Sequence, residues 1–390
     1  MRVLQVIPYY EPAWGFGGPV VVCSILAKEL VKRGHTLTVL TTDAFDKQRR
    51  IKKNNTTING VKVCRLPNLS TYLAKEQNIY LPKGLKKWLS NNICNFDIVH
   101  IHSFFTVLTL LSALVCIKKS IPYVVHLHES PIPSSSLGRA TVKQIFNFLW
   151  GKKILRHAKK IIVVSERERG LLVKAMPWLK ERVEVVYNPV EECGDMVTKA
   201  QARRKLLVAP KAKLVICVSR LTIYKKIDAL IAVFVHLLKQ DSNYRLMIVG
   251  GSERGEKERL ASIARNAGVR DKMKFCGYVK NSLVRRYYLR GADVFVSLSS
   301  YESFGVNAVE ALYSGLPVCV SSNVVSVAHK IDKAGCGVTI KNVQNYIRVA
   351  QAIDGLIAKK IDRRAFRTVI KDFEPSVVLD KIEHIYKEII

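Results

Sequence analysis

Short, almost wholly apolar runs recur along this chain, and most are followed by a segment with helical apolar spacing. The first is RVLQVIP (Arg2–Pro8), and similar runs stand at Leu37–Thr42, Val61–Leu66, Ile98–His102, Tyr123–His128 and Lys160–Ser165. Runs of this length that stay apolar at consecutive positions are strands buried on both faces. The intervening stretches, such as Val20–Lys32 closed by Gly34, carry a helical apolar face and a helix stop. The pattern predicts β-α-β units and a parallel sheet with helices on both faces. EVVYNPV, around Val183–Val190, reads as the last strand of the series with a turn at Asn188-Pro189, and the polar EECGDMVTKAQARRK that follows reads as a linker. At Lys213 the alternation restarts: LVICVS is a strand, RLTIYKK a loop, Ile227–Lys239 a helix, and strands recur at Arg245–Val249, Met273–Cys276, Val294–Leu298 and Pro317–Ser321.

Two such series in 390 residues are more than one core accommodates. The predicted fold is α/β, with two Rossmann-like domains facing across a cleft. Residues 1–190 form the first domain and 191–374 the second, and an amphipathic helix over 375–390 is expected to pack back on the first. In sheets of this kind ligands bind outside the carboxyl ends of the strands, so loops that follow strands are where chemistry is sought.

Composition narrows the setting. Sixty-three Lys and Arg against 31 Asp and Glu give a formal net charge of +32, a field that attracts nucleic acid or an acidic membrane surface. The longest charge-free apolar stretch, Phe104–Ile117, is shorter than the ~18 residues a membrane span needs. MRVLQVIPYY is not a signal peptide, and nine dispersed cysteines without a CxxC pair suit free thiols in a reducing cytosol. No zinc-type ligand spacing is present, so no metal is expected.

Four places carry candidate chemistry. Gly17 and Gly18 follow the first strand at the start of a helix, where bare amides and absent side chains suit a phosphate; the alternative is an ordinary tight turn. Arg220 and Lys225 follow LVICVS, and two cations at a strand's carboxyl edge suit a diphosphate; the alternative is solvated surface charge. IVHIHS and VVHLHE place His100 with His102, and His126 with His128, on shared strand faces. His128, beside Glu129 at a strand end, is the one best placed for a ligand. The last place is SSYESFGVNAVEALYSGLPVCVS, with Glu302 on a loop and Glu310 on the helix that the loop opens. Helix-start amides can hold an anion while a carboxylate grips vicinal hydroxyls, which is the layout of a nucleotide sugar. A mere helix-dipole role fits Glu310 poorly, because it lies in the second turn.

These segments, in this order, resemble the retaining glycosyltransferases of the GT-B fold, family 4, also called glycosyl transferases group 1. The resemblance spans nearly the whole chain: GFGGP with LAKELVKRGHTLTVLTT, DIVHIHS, VVHLHES, IIVVSERER, VVYNPV, VSRLTIYKK, IVGG, FCGYV, ADVFVSLSSYESFGVNAVEALYSGLPV and the late GCGV. Its most specific element is the pair of glutamates eight positions apart, Glu302 and Glu310, with Phe304-Gly305 between them. The resemblance implies that Glu310 holds the ribose hydroxyls of a nucleotide-sugar donor and Glu302 its sugar hydroxyls. It also implies that the amides of Ser303, Phe304 and Gly305 meet sugar and phosphate, and that Arg220 and Lys225 stabilise the leaving diphosphate with Gly17 and Gly18 on its other side. His128 is then near the reacting sugar, and the backbone at Tyr278 and Val279 meets the base. The family is generally metal-independent and needs no cofactor, and its acceptor hydroxyl attacks from the face that the diphosphate leaves.

Two departures from the family pattern stand out. Ser219 and Lys226 occupy positions where glycine is common, and NVVSVAHK replaces the usual Gly-Gly-x-x-Glu run, which puts the donor sugar in doubt. The acceptor is expected on the first domain. There TVKQIFNFLWGKKILRHAKK (141–160) and NIYLPKGLKKWL (78–89) interleave aromatic and basic residues, as an interfacial segment on anionic lipid does; a buried apolar face with a solvated basic face is the alternative. Docking of this kind points to a glycan or lipid-linked sugar acceptor, a role in surface polysaccharide synthesis, and a cytoplasmic enzyme peripheral to the inner face of the membrane. The donor is a UDP- or GDP-sugar on this reading, and no nucleic-acid motif accompanies the charge. A GT-B nucleotide-sugar epimerase, or a basic nucleic-acid binder, is the rival reading.

Overall fold

The computed structural model describes residues 1–45, 49–70, 73, 79–128, 143–192, 194, 197–252 and 255–390. The chain divides into two compact units, Met1–Pro189 with Phe373–Ile390, and Val190–Asp372.

The first unit holds eight strands: β1 (Arg2–Val6), β2 (Thr36–Thr42), β3 (Asn55–Ile58), β4 (Val61–Leu66), β5 (Ile98–His102), β6 (Tyr123–His126), β7 (Lys160–Val163) and β8 (Val183–Val185). Their order is β3-β4-β2-β1-β5-β6-β7-β8. All neighbours are parallel except β3, which runs antiparallel to β4 at the edge. The interior strands are buried along nearly their whole length, as consecutive apolar residues require. The second unit holds β9 (Lys213–Val218), β10 (Tyr244–Val249), β11 (Met273–Gly277), β12 (Val294–Ser297), β13 (Val318–Ser321) and β14 (Gly337–Ile340), in the order β11-β10-β9-β12-β13-β14 and all parallel.

In both sheets the chain starts in the middle, builds outward, then returns to the other side of its first strand. The switch falls between β1 and β5 in one unit and between β9 and β12 in the other. Loops that leave neighbouring strands in opposite directions open a crevice there, which is where α/β sheets bind ligands.

Several elements differ from the sequence expectation. β3 and β14 are additional strands, the first without an apolar run and the second opened by a glycine. The strand expected over Val183–Val190 ends at Val185, and that expected to His128 ends at His126, which leaves His128 on the outgoing loop. Part of the expected linker is the helix Lys199–Leu206. Thr198 accepts from the Gln201 amide while the Gln201 side chain accepts from the Thr198 amide, a reciprocal cap that starts a helix in a polar stretch.

The C-terminal helix Pro375–Ile389 belongs to the first unit. Val378, Leu379, Ile382, Ile385 and Tyr386 are buried in a core shared with Leu26, Leu30 and Val39. Its polar side is fastened as well: Glu383 meets Arg33 at 2.8 Å and His35 at 2.7 Å, Asp380 meets Arg33 at 2.6 Å, and Glu388 meets Lys160 at 2.9 Å. Leu379 is fully buried. Leu379→Ala is expected to destabilise the first unit by about 2–5 kcal/mol. Urea unfolding read by hydrogen exchange checks this, and unchanged protection of the Gly18–Lys32 helix would contradict it.

Candidate functional site

The loops that leave β9 and β12 flank the switch point of the second unit, and they are stitched together. The Ser300 amide donates to the Tyr224 carbonyl at 2.8 Å and the Ser300 hydroxyl to the same oxygen at 3.1 Å. This brings the Lys225 ammonium to 2.5 Å from Glu302 Oε1, with both side chains largely buried. Ser299 Oγ donates to the same carboxylate oxygen at 3.3 Å. Arg220, on the same loop as Lys225, donates to the Tyr224 hydroxyl at 3.1 Å and is exposed. A carboxylate and two cations thus stand on two neighbouring loops that are joined by hydrogen bonds, although Lys225 and Glu302 are 77 positions apart in the chain.

Ser303, Phe304 and Gly305 lead from Glu302 into the helix Val306–Tyr313, which no side chain caps. Gly305 has φ +91°, and a Cβ there would lie 2.6 Å from Val324 Cγ1, so only glycine fits. The residues in place of the familiar Gly-Gly-x-x-Glu run therefore form an apolar wall behind the loop, with Val324, Val327 and Ser326 buried. Asn307 anchors the helix start by donating to the Val218 carbonyl at the end of β9, at 2.7 Å. On the β9 loop, Lys226 has φ +52°, the left-handed geometry that glycine would supply, and it opens the helix Ile227–Gln240. Ser219 packs differently: its carbonyl oxygen would lie 1.8 Å from a Cβ at Gly250, so the close approach is made by the glycine that follows the neighbouring strand β10.

Glu310 is buried in the second turn of its helix. Asn281 Nδ2 donates to its Oε1 at 2.9 Å, and Arg285 Nε stands 4.0 Å from the same oxygen. Burial pushes the carboxyl above its usual range, against the Asn281 hydrogen bond and the Arg285 charge. Its Oε2 is buried and meets no donor among the described residues. A buried acceptor of this kind is suited to a ligand hydroxyl. Asn281 and Arg285 escaped the sequence reading, since nothing in KNSLVRRYY marks them as partners of a residue on another helix. Tyr278 is exposed and Val279 half-buried, on the turn that carries the chain to Asn281.

In the first unit, Gly17 has φ +91° and precedes the helix Gly18–Lys32. No atom lies within 4 Å of a Cβ built at Gly15, Gly17 or Gly18, so there is room beside these glycines, but the Gly17 amide donates to the Trp14 carbonyl at 3.1 Å. The histidines occupy the carboxyl edge of β5 and β6. His100 and His102 stack at 4.2 Å and 12°, His126 and His128 at 4.3 Å and 20°. The register sets His102 opposite His126. His100 Nδ1 is 2.6 Å from the Tyr386 hydroxyl of the C-terminal helix, and His102 Nδ1 is 3.0 Å from His128 Nε2. His100, His102 and His126 are buried and His128 is half-buried. Burial holds all four rings neutral: His100 and His128 titrate at about 3, and His102 and His126 well below the usual histidine range. One ring nitrogen each from His100, His102 and His126 fall within 4.8 Å of one another, a possible ligand trio. The His100 and His102 planes lie face to face, however, so their in-plane lone pairs run side by side and no point lies ~2.0–2.1 Å along both, as zinc needs. Glu129, paired with His128 in the sequence reading, lies outside the described residues.

The model of glycosyl transferases group 1 matches residues 198–372, and that of glycosyltransferase family 4 matches residues 16–192. A glycosyltransferase of Methanocaldococcus jannaschii is 27% identical over 329 residues, 83% of this chain and 80% of that protein. The GDP-mannose:cellobiosyl-diphosphopolyprenol alpha-mannosyltransferase of Xanthomonas oryzae is 24% identical over 346 residues, 87% of this chain and 83% of that protein. The fold is similar to that of Anabaena HepE, solved in complex with UDP-glucose, with a TM-score of 0.75 at 18% identity over 100% of both chains.

Neutral buried histidines make the first unit sensitive to acid. A ring whose folded pKa is depressed contributes stability above its unfolded value, about 6.5, and that contribution is lost as pH falls towards the folded value. Both ring nitrogens of His126 are buried and without partners among the described residues. His126→Leu is therefore expected to leave stability at pH 7 unchanged or raised, and to make the loss between pH 6.5 and about 3 shallower; the lower bound is where His100 and His128 titrate. Melting temperatures at pH 7 and pH 5 compare the two proteins.

Proposed function

The chain belongs to the glycosyl transferases group 1, with the GT-B fold, and from that membership we propose a retaining transfer of a sugar from a nucleotide diphosphate to a hydroxyl of a glycan or lipid-linked acceptor. The observation that carries the reading is the Lys225–Glu302 contact at 2.5 Å beside an uncapped helix start, with the unsatisfied Glu310 oxygen on the same helix. A ligand with hydroxyls at both ends and phosphates in the middle matches that series. Glu302 takes the sugar hydroxyls, Glu310 the ribose, and the amides of Ser303, Phe304 and Gly305 the groups between, with Tyr278 and Val279 towards the base. For Gly17, Gly18 and His128, on the loops of the first unit, the proposed role is contact with a donor's phosphate and sugar.

In the reaction the bond from the anomeric carbon to the diphosphate oxygen ionises, and its electron pair stays with that oxygen. Arg220 and Lys225 offset the growing negative charge, the part a metal plays in other transferases. The acceptor hydroxyl attacks from the face the diphosphate leaves, and its proton passes to the departing phosphate. No metal is required on this reading.

The lipid-linked acceptor rests on two supports. One is the relative of Xanthomonas oryzae, whose name gives it a sugar on a diphosphopolyprenol as acceptor. The other is a surface of the first unit where Ile145, Phe148, Leu149 and Trp150 are exposed, Phe148 at 80%, next to exposed Lys152, Lys153 and Arg156. Residues 141–142 of that segment, and Asn78 of the second one, lie outside the described residues. Lys160 is held by Glu184 and Glu388, each at 2.9 Å, and is removed from the basic set. The second segment does not qualify: Tyr80, Leu85 and Leu89 are in the core and Trp88 packs against Phe96, so its lysines line a solvated face. Among the described residues no helix is long and apolar enough to cross a membrane, and docking at the inner face of the cell membrane, in surface polysaccharide synthesis, is the role proposed.

Thermal-shift screening against UDP-, GDP- and ADP-sugars identifies the donor, because a ligand that binds the folded state raises its stability. Glu302→Ala is expected to lower kcat about 100-fold or more. Glu310→Ala is expected to weaken donor binding about 10- to 100-fold, as loss of a hydrogen bond to a charged group does. Turnover that survives Glu302→Ala, an inverted anomeric product by NMR, or a free sugar in place of a glycoside would overturn the reading.

Flotation tests the membrane role separately. The protein should rise with vesicles containing phosphatidylglycerol, and Phe148→Glu with Leu149→Glu should abolish this without a change in melting temperature. Equal indifference to anionic and neutral vesicles would remove it.

A further inference from the structure

The four histidines form a raft of two stacked pairs, and the link between the pairs is a hydrogen bond. His102 and His128 have centroids 5.3 Å apart and planes 9° from parallel, yet their nearest nitrogens are 3.0 Å apart. Face-to-face rings at that centroid distance could not bring two nitrogens so close. The rings must lie edge to edge, close to one plane, which is the geometry of a good ring-to-ring hydrogen bond. One of the two nitrogens carries the proton and the other does not.

We propose that His102 is a positioning residue: its Nδ1–H donates to His128 Nε2, which fixes His128 as the tautomer protonated on Nδ1 and presents that N–H to the ligand. The reverse assignment would put the His102 proton on Nε2. That nitrogen is buried and meets no acceptor among the described residues. A buried N–H without an acceptor is the rarer and more costly defect, whereas the proposed assignment leaves only a bare lone pair there. His128 is the one member of the raft that is not fully buried, and with Nε2 engaged only Nδ1 remains for a ligand. Burial keeps both rings neutral at physiological pH, so the tautomer does not scramble through a doubly protonated ring. The stacking of His100 on His102, with His100 Nδ1 in turn 2.6 Å from the Tyr386 hydroxyl, holds the His102 ring in place.

The consequence for the reaction is specific. A neutral N–H donor can hydrogen-bond an oxygen of the transferred sugar or of its phosphate, and it neither gives up nor gains a full proton. This rests on the proposed role of His128 beside the donor sugar.

The test has two independent arms. Nitrogen NMR of ring-labelled protein should find His128 protonated on Nδ1 and bare on Nε2. A His128 protonated on Nε2 overturns the inference without reference to activity. The second arm compares two substitutions of His102. His102→Asn keeps a donor near the position of Nδ1 and should hold kcat within about 3-fold, whereas His102→Leu keeps bulk without a donor and should lower kcat by about 10-fold or more at similar KM, as loss of an orienting partner does. Equal losses in both variants, or a loss that follows the melting temperature, indicates a structural residue only and overturns the inference. His128→Ala with full activity would instead remove the donor-side role of His128, and the ring-nitrogen spectrum would still decide the tautomer.

Discussion

Parallel pairing is the constraint from which the rest of this molecule follows. Each parallel strand must be left at its carboxyl end by a loop that crosses back over the sheet, so the outgoing loops of all the strands but the antiparallel β3 emerge at one edge of their sheet. Where the strand order reverses, neighbouring loops part and leave room between them. The β9 and β12 loops are such a pair, and their stitching through Ser300 and Tyr224 sets Lys225 against Glu302. In the other unit the loops after β1, β5 and β6 share an edge, which collects the glycines and the histidines. The chemistry is therefore gathered by topology first and by individual side chains second.

Charge in the molecule is managed by contrasting means. The surface carries a large excess of lysine and arginine, while the functional edges pair or neutralise what they bury. Lys225 has Glu302, Glu310 has Asn281 with Arg285 nearby, and the four histidines stay neutral chiefly through burial, helped for His100, His102 and His126 by the neighbouring rings. A neutral imidazole and an incompletely satisfied carboxylate are groups that can still make hydrogen bonds. A fully ion-paired residue has less to offer an incoming hydroxyl.

Much of the fold was legible because buried parallel strands announce themselves as consecutive apolar residues. Strands that do not obey this were not seen: β3 is an antiparallel edge with an alternating, half-exposed pattern, and β14 is opened by a glycine pressed against the Val318 carbonyl. The spacing of Glu302 and Glu310 and the two cations on the β9 loop could be read because each lies within one local segment. Partners across the sheet could not. Asn281 reaches Glu310 from another helix, Tyr386 reaches His100 from the far end of the chain, and the diagonal pairing of His102 with His128 depends on the β5–β6 register. Local patterns fix periodicity and turn chemistry, whereas these contacts depend on tertiary packing.

The departures from the family pattern sharpen this point. At Lys226 the left-handed backbone is kept without glycine, at a cost of ~1–2 kcal/mol, so the turn that aims Lys225 is imposed by its surroundings rather than by residue preference. At Gly305 the opposite holds, since Val324 leaves no space for a side chain. Replacing a polar glycine-rich loop by the apolar Val324–Val327 wall thus commits the neighbouring position to glycine, and with it the entry angle of the Val306–Tyr313 helix. The direction in which the Ser303–Gly305 amides face is fixed by packing behind them. Substitutions in that wall should therefore act on the site through backbone geometry, without touching a ligand.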